Sequence, residues 1–334
     1  IRPSASDMNR AKIIALGVLE RDINEDAMLT WSYPAISQTT GQVLVSRSGL
    51  DDKKLMDAYR WSKLGNTWHY MMTTPIKDNK HPRVNAVCIV CLSEQFNPEK
   101  FKALLMVLLK MYKSEPSGTP LLKAYLTLFR TAEVGGWSDS KFDNRRALIA
   151  GSIKTVVKTF GQSCALLWSA MLLKKRIFVY AESVAELLPV VRVLPLFGSW
   201  HRQDWGLLRP FVGLTAPELK DLTNASVYVA GCTDSRCSSK TDYFDLFVDV
   251  TSAKITIPEH AKVGMAVTAF HKSLANTIVK AADKESDQGI IKVIALKTKE
   301  LIAVVKQVQA KSTSAPAGME RFLADVAVAE GLTS

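Results

Sequence analysis

The sequence predicts a bilobal chain of mixed α+β and α/β class, closed by a carboxy-terminal helical bundle. Up to about residue 130, strand-like runs are followed by paired helical segments, the order of an α+β lobe. Residues 177–180 and 226–231 are short unbroken apolar runs with helical patterns on either side. Such runs mark strands buried on both faces in a mainly parallel sheet. Beyond residue 258, apolar positions recur at three- and four-residue steps in three successive segments, as in packed helices.

Taken in order, residues 1–10 are polar, and residues 11–19 and 27–33 read as strands joined by the turn-rich 21–26. Residues 40–60 are mixed and helical in part. Residues 67–73 and 84–92 add strands, separated by the breaker-rich 74–82. Asn97 then caps a long helix: Pro98 fits the first helical position, where no amide donor is needed, and Glu99 suits the positive end of the dipole. Phe101, Leu104, Leu105, Leu108 and Tyr112 form its buried stripe, and Pro116 stops it. A second helix begins at Thr119-Pro120, with Leu122, Tyr125, Leu126 and Phe129 expected to face inward. The polar stretch 131–143, with its Gly135-Gly136 pair, reads as a linker and places a boundary near residue 140.

Residues 144–160 read as one helix with Ile149, Ile153, Val156, Val157 and Phe160 along one face, ended by Gly161. A second apolar helix, 162–173, runs into Lys174, Lys175 and Arg176 and then into the first buried strand. Residues 183–197 are helical by pattern, and a short amphipathic helix at 216–222 precedes the second buried strand. Residues 245–250 and 254–257 form a hairpin-like pair. Pro258 opens a helix through Val263, Val267, Phe270, Leu274 and Ile278. A second follows through Ile290, Ile294, Leu301, Val304, Val305 and Val308, and a last one carries Met319, Phe322, Leu323 and Val326.

Of the 334 residues, 47% are hydrophobic and 22% charged, which is globular rather than disordered composition. The longest apolar run, 164–173, is about half of what spans a bilayer, so no transmembrane helix is expected. The chain starts Ile1-Arg2-Pro3, without a basic-then-apolar signal pattern. The net charge of +11 has a plain reading, dispersed solvated lysines, and a sharper one, an acidic partner or an anionic membrane surface. Nucleic acid is a poor fit, since no nucleic-acid motif accompanies the charge. Cys88 and Cys91 have CxxC spacing, but within a strand they point to opposite faces and no second pair completes a zinc site. Both are expected to be structural. Cys232 and Cys237 share a loop in which they could approach one another as reduced thiols.

No catalytic, metal-binding or cofactor-binding motif appears: GxxxxGK with Ser or Thr, GxGxxG, GxSxG and HExxH are all missing. Gly151-Ser152-Ile153-Lys154-Thr155 has some letters of a phosphate loop but falls within a periodic helix and reads as structural. The histidines are scattered. His260 and His271 are placed on one helix, eleven residues apart, as surface or packing residues. Two clusters are partner-binding candidates. Trp200, His201, Arg202, Asp204 and Trp205 have the composition of an interface hot spot, although the indoles could equally be core anchors around an Arg202–Asp204 pair. Lys174, Lys175 and Arg176 could meet an acidic partner, although the dipole of the preceding helix already accounts for cations at its end.

Seven segments lie in one order along the chain: FNPEK at 96–100, AGSIK at 150–154, LLKKRIFVY at 172–180, WHRQDW at 200–205, YVAG at 228–231, ITI at 255–257 and IALKT at 294–298. Together they resemble the DENN-domain family. The resemblance implies a longin-like amino-terminal lobe over 1–135, a central α/β DENN module over 141–245 and a mainly helical subdomain over 246–334. It also implies a non-catalytic protein of endosomal trafficking that binds coiled-coil subunits of the Commander assembly. Such a protein is cytoplasmic, recruited to endosomes and late endosomes, peripheral to membranes and without a cofactor. The family's characteristic activity, guanine-nucleotide exchange on a Rab-type small GTPase, is the alternative. A small-molecule enzyme is permitted by an α/β scaffold alone and has no residue in its support.

Overall fold

The computed structural model describes residues 12–52, 54–77, 82–198 and 205–333, and the chain divides into two compact units, 1–148 and 149–334. In the first unit β1 (Ile13–Asp22), β2 (Ala27–Tyr33), β3 (Ala58–Leu64), β4 (Thr67–Pro75) and β5 (Val84–Ser93) form an antiparallel sheet of order β2-β1-β5-β4-β3. Helix α1 (Gln38–Ser48), capped by Ser37, covers one face over Leu19, Met71, Cys88 and Val90. The pleat sends neighbouring residues to the other face. There Tyr70 stacks on Phe101 of α2 (Pro98–Ser114), with ring centroids 4.3 Å apart. Strand β3 was hidden in a stretch read as mixed. It is an edge strand, whose Trp61 joins Trp68 and Phe96 in one aromatic cluster.

The start of α2 follows the sequence signature. Asn97 accepts the amide of Lys100, and Phe101, Leu104, Leu105, Leu108 and Tyr112 are buried. Each buried side chain of that stripe contributes roughly 1.5–3 kcal/mol. Helix α3 (Gly118–Thr131) corrects the expectation for its inward face. The sheet and α2 bury Pro120, Leu121, Ala124 and Leu128, whereas Leu126 is 49% and Phe129 71% exposed. Both faces of α3 are apolar, so periodicity could not tell them apart.

The stretch read as a linker is instead folded onto α2. Strands β6 (Glu133–Val134) and β7 (Trp137–Ser138) pair across Gly135-Gly136. Both glycines have positive φ, 51° and 81°, as a tight two-residue hairpin turn requires. Trp137 is buried and donates Nε1–H to the Lys100 carbonyl, and the buried Asp139 carboxylate pairs with the Lys100 ammonium. Helix α4 (Asn144–Ile149) follows.

The helix expected over 144–160 is broken. Gly151 takes φ 122°, Ser152 caps a new helix, α5 (Ile153–Phe160), and Ile149 is 41% exposed rather than on the buried face. Next come α6 (Cys164–Leu172), β8 (Ile177–Tyr180), α7 (Val184–Val193), β9 (Leu208–Arg209), α8 (Ala216–Asn224), β10 (Val229–Cys232), β11 (Leu246–Asp249) and β12 (Lys254–Thr256). The sheet order is β12-β11-β8-β10-β9, so both apolar runs sit in one sheet as neighbours. β8 runs parallel to β10 and β11, β9 runs parallel to β10, and β12 closes an antiparallel edge.

Three helices complete the second unit: α9 (Ala269–Lys284), α10 (Asp287–Gln309) and α11 (Glu320–Glu330). Helix α9 begins eleven residues later than Pro258 suggested, because Thr268 and His271 form a capping box in which His271 Nδ1 accepts the Thr268 amide. Val263 and Val267 are therefore exposed, and His260 lies in a separate short turn rather than on the helix with His271. Trp168 of α6 ties the bundle to the sheet. Its indole is fully buried, within 6.5 Å of Phe270, His271 and Phe322, and donates to Thr298 Oγ1 at 2.8 Å. Among the described residues no helix is long and apolar enough to cross a membrane.

Candidate functional site

The cluster Lys174-Lys175-Arg176 is shaped by the way α6 ends. Leu173 is its C-cap, Lys174 takes the left-handed conformation (φ 52°), and the amides of Lys174 and Lys175 return to the carbonyls of Met171 and Ala170. This is a Schellman closure, in which glycine is usual at the position held by Lys174. Beyond the turn, Arg176 parts from the two lysines.

Arg176 is taken up by the fold. Its guanidinium donates to both carboxylate oxygens of Asp245 (2.9 and 3.3 Å) and to the Asp242 carbonyl, and its amide donates to Asp245 as well. The pair joins the starts of the parallel strands β8 and β11. His260 Nε2 lies 3.2 Å from the same carboxylate. Burial works to raise the Asp245 carboxyl, but the hydrogen bonds and charge of Arg176 outweigh it and hold the group below the usual carboxylate range. Arg176 is accordingly a latch residue, and the helix dipole is not its main partner.

Lys174 and Lys175 instead line a cavity of about 590 Å³, with Met171, Gly198, Tyr228 and Glu330 among its walls. It opens at the amino ends of β8 and β10, whereas open α/β sheets place small ligands beyond the carboxyl ends of their strands. The Tyr228 hydroxyl donates to the Tyr243 carbonyl, and burial pushes its pKa up to about 12. Two lysines and one glutamate, Glu330, border an otherwise largely apolar wall, so the lining carries a net positive charge. Tyr228 and Glu330 were missed in the sequence, since neither stands near Lys174 in the chain.

Trp200, His201, Arg202 and Asp204 lie outside the described residues. Trp205 is buried at 4% exposure, the core-anchor reading of that indole, and among the described residues its Nε1 has no acceptor. The structure thus brings Lys174 and Lys175 together and sends Arg176 and Trp205 into the fold.

The phosphate-loop-like letters at 151–155 do not lie within a helix but at the start of α5. The amide of Lys154 and the Ser152 hydroxyl both donate to Asp287 Oδ1, at 2.8 and 3.0 Å. The protein's own carboxylate occupies the position an anion would take. Cys88 and Cys91 are fully buried, and desolvation raises both thiols, Cys88 to about 12. Among the described residues no three His, Cys, Asp or Glu side chains cluster as metal ligands. Cys232 and Cys237 meet in one buried cluster with Tyr228 and Phe244.

Comparison with known proteins places this geometry in a family. A family model described as DENN domain-containing protein 11 matches residues 2–260. DENN domain-containing protein 10 of Dictyostelium discoideum is 34% identical over 356 residues, covering 95% of this chain and 97% of that protein. The proteins of the same description from Homo sapiens and Danio rerio are 33% identical over 342 residues and 34% over 300. They cover 95% and 87% of this chain, and 96% and 86% of their own lengths. An antiparallel α+β unit, a second unit of α/β sheet and helices, and similarity along nearly the whole length together make this chain a member of the DENN-domain family.

Proposed function

We propose that the chain is a non-catalytic trafficking protein of the endosomal system that binds coiled-coil subunits of the Commander assembly. The observation that carries this reading is its colinearity with DENN domain-containing protein 10, over 95% of this chain and 97% of the Dictyostelium relative. Similarity over nearly the whole length of a relative extends across both units of this chain, which supports a shared role. In this reading residues 1–135 are the longin-like lobe, 141–245 the central DENN module and 246–334 its helical subdomain. The protein works from the cytoplasm as a peripheral component recruited to endosomes and late endosomes. Lys174 and Lys175, beside the apolar wall of their cavity, are proposed contacts for an acidic side chain of a partner.

A second reading, exchange on a Rab-type GTPase, is favoured by family membership itself. Exchange needs no reacting group on this chain. A protein that binds the nucleotide-free GTPase more tightly than the GDP form must, by linkage, lower the affinity for nucleotide. The tagged full-length chain, recovered from cytosol with its bound proteins identified by mass spectrometry, tests the first reading: Commander coiled-coil subunits are the expected co-purifying species. Recovery of a Rab protein without them would overturn it. Accelerated release of fluorescent GDP from a Rab panel tests the second, and no acceleration at micromolar concentration would remove it.

A further inference from the structure

We infer that the outward face of α3 docks an acid-flanked amphipathic helix of a partner protein. Leu122, Leu126 and Phe129 follow one another at steps of four and three residues, the spacing by which one helix presents a seam to another. The seam covers two turns, about 10 Å of helix axis. Two of its three residues are open to solvent, Leu126 at 49% and Phe129 at 71%, although the opposite face of the same helix is buried. Tyr125 and Tyr33 of the edge strand β2 border the seam, their rings edge-on at 5.2 Å. A rod laid along α3 is therefore met by two elements of the first unit.

Charge selects the occupant. Lys123 and Arg130 are seven residues apart, one position beyond Leu122 and Phe129, and so line one side of the seam. Both are exposed, and among the described residues neither has a carboxylate within ion-pair distance. A helix with apolar residues at a and d and glutamates beside them would bury Phe129 and pair with both cations. A second copy of this chain would bring the two sets of cations face to face. An interface of this kind is carried by a buried aromatic centre, with charges at the rim setting partner choice and orientation. The inference rests on the reading of the chain as a holder of helical partners and adds the surface that holds them.

The probe is a synthetic 28-residue helix with Leu at a and d and Glu at e and g, titrated against the full-length chain by fluorescence anisotropy. We expect saturable binding that weakens at least tenfold in Phe129→Glu. The double variant Lys123→Glu, Arg130→Glu should lose the acidic helix and gain the lysine counterpart of the same peptide. Both variants alter exposed side chains, and an unchanged melting temperature checks that they fold. Failure of the acidic helix to bind, or equal binding by Phe129→Glu, overturns the inference. So does concentration-dependent dimerisation abolished by Phe129→Glu, or binding of α3 to phosphatidylserine vesicles in preference to the peptide. Commander coiled-coil subunits retained equally by wild type and Phe129→Glu would leave the functional reading standing and move the contact elsewhere. Their loss from both would remove that reading as well.

Discussion

Replacing His69 with glutamine should flatten a defined part of the protein's stability–pH profile. His69 lies on β4, 1% exposed, with Nδ1 3.4 Å from Ser62 Oγ. Burial, aided by the Arg47 charge, lowers its pKa from 6.5 to about 4. The folded protein thus keeps the ring neutral down to about pH 4, while the unfolded chain takes up a proton near 6.5. Between these values the unfolded state binds more protons, so stability rises with pH. The contribution is fully present above pH 6.5, is lost as pH falls toward 4, and levels off below. A difference of 2.5 pKa units corresponds to about 3 kcal/mol, most of it lost by pH 4.5. Urea unfolding followed by tryptophan fluorescence at pH 7.5 and 4.5 should show the gap between wild type and H69Q shift by roughly 2–3 kcal/mol. Every other group is common to the two proteins and cancels in the difference. Parallel profiles for the two proteins would refute a buried neutral His69.

Three further outcomes follow from the packing. Asp139→Ala should destabilise the first unit by about 3 kcal/mol, because it leaves the buried Lys100 ammonium without its counter-charge. Adding Lys100→Met should recover much of that loss in urea unfolding, and no recovery would mean the pair is not the cause. Asp245→Ala should cost roughly 2–3 kcal/mol by the same measurement, since a part-buried guanidinium loses charge-assisted hydrogen bonds; a cost under about 0.5 kcal/mol, the range of ordinary surface substitutions, would make it an ordinary surface pair. Lys174→Gly should raise stability by about 1 kcal/mol by relieving the left-handed backbone. If Lys174 contacts a partner, the same variant binds more weakly while melting higher.

Much of the fold was legible because single residue types imposed it. Asn97-Pro98-Glu99 set the start of α2, and the β-branched run at 177–180 set the central strand. Legibility failed where two explanations used the same letters. Gly135-Gly136 served a hairpin turn as well as it would a linker, and only the burial of Trp137 and Asp139 separates the two. Val263 and Val267 continued the period of α9, but the Thr268–His271 capping box had already fixed its start. The paired apolar faces of α3 hid which one met the sheet. At the candidate site, adjacency in sequence suggested one cluster of three cations. The left-handed turn at Lys174 and the distant Asp245 divide it, and neither can be read from the segment itself.

The measurement that bears most directly on the account is calorimetric titration of the full-length chain with a recombinant coiled-coil pair of Commander subunits. A saturable complex of micromolar affinity or tighter, weakened by Lys174→Glu, is the predicted result. Absence of heat up to about 100 μM, alongside rapid GDP release from a Rab protein under the same conditions, would contradict it.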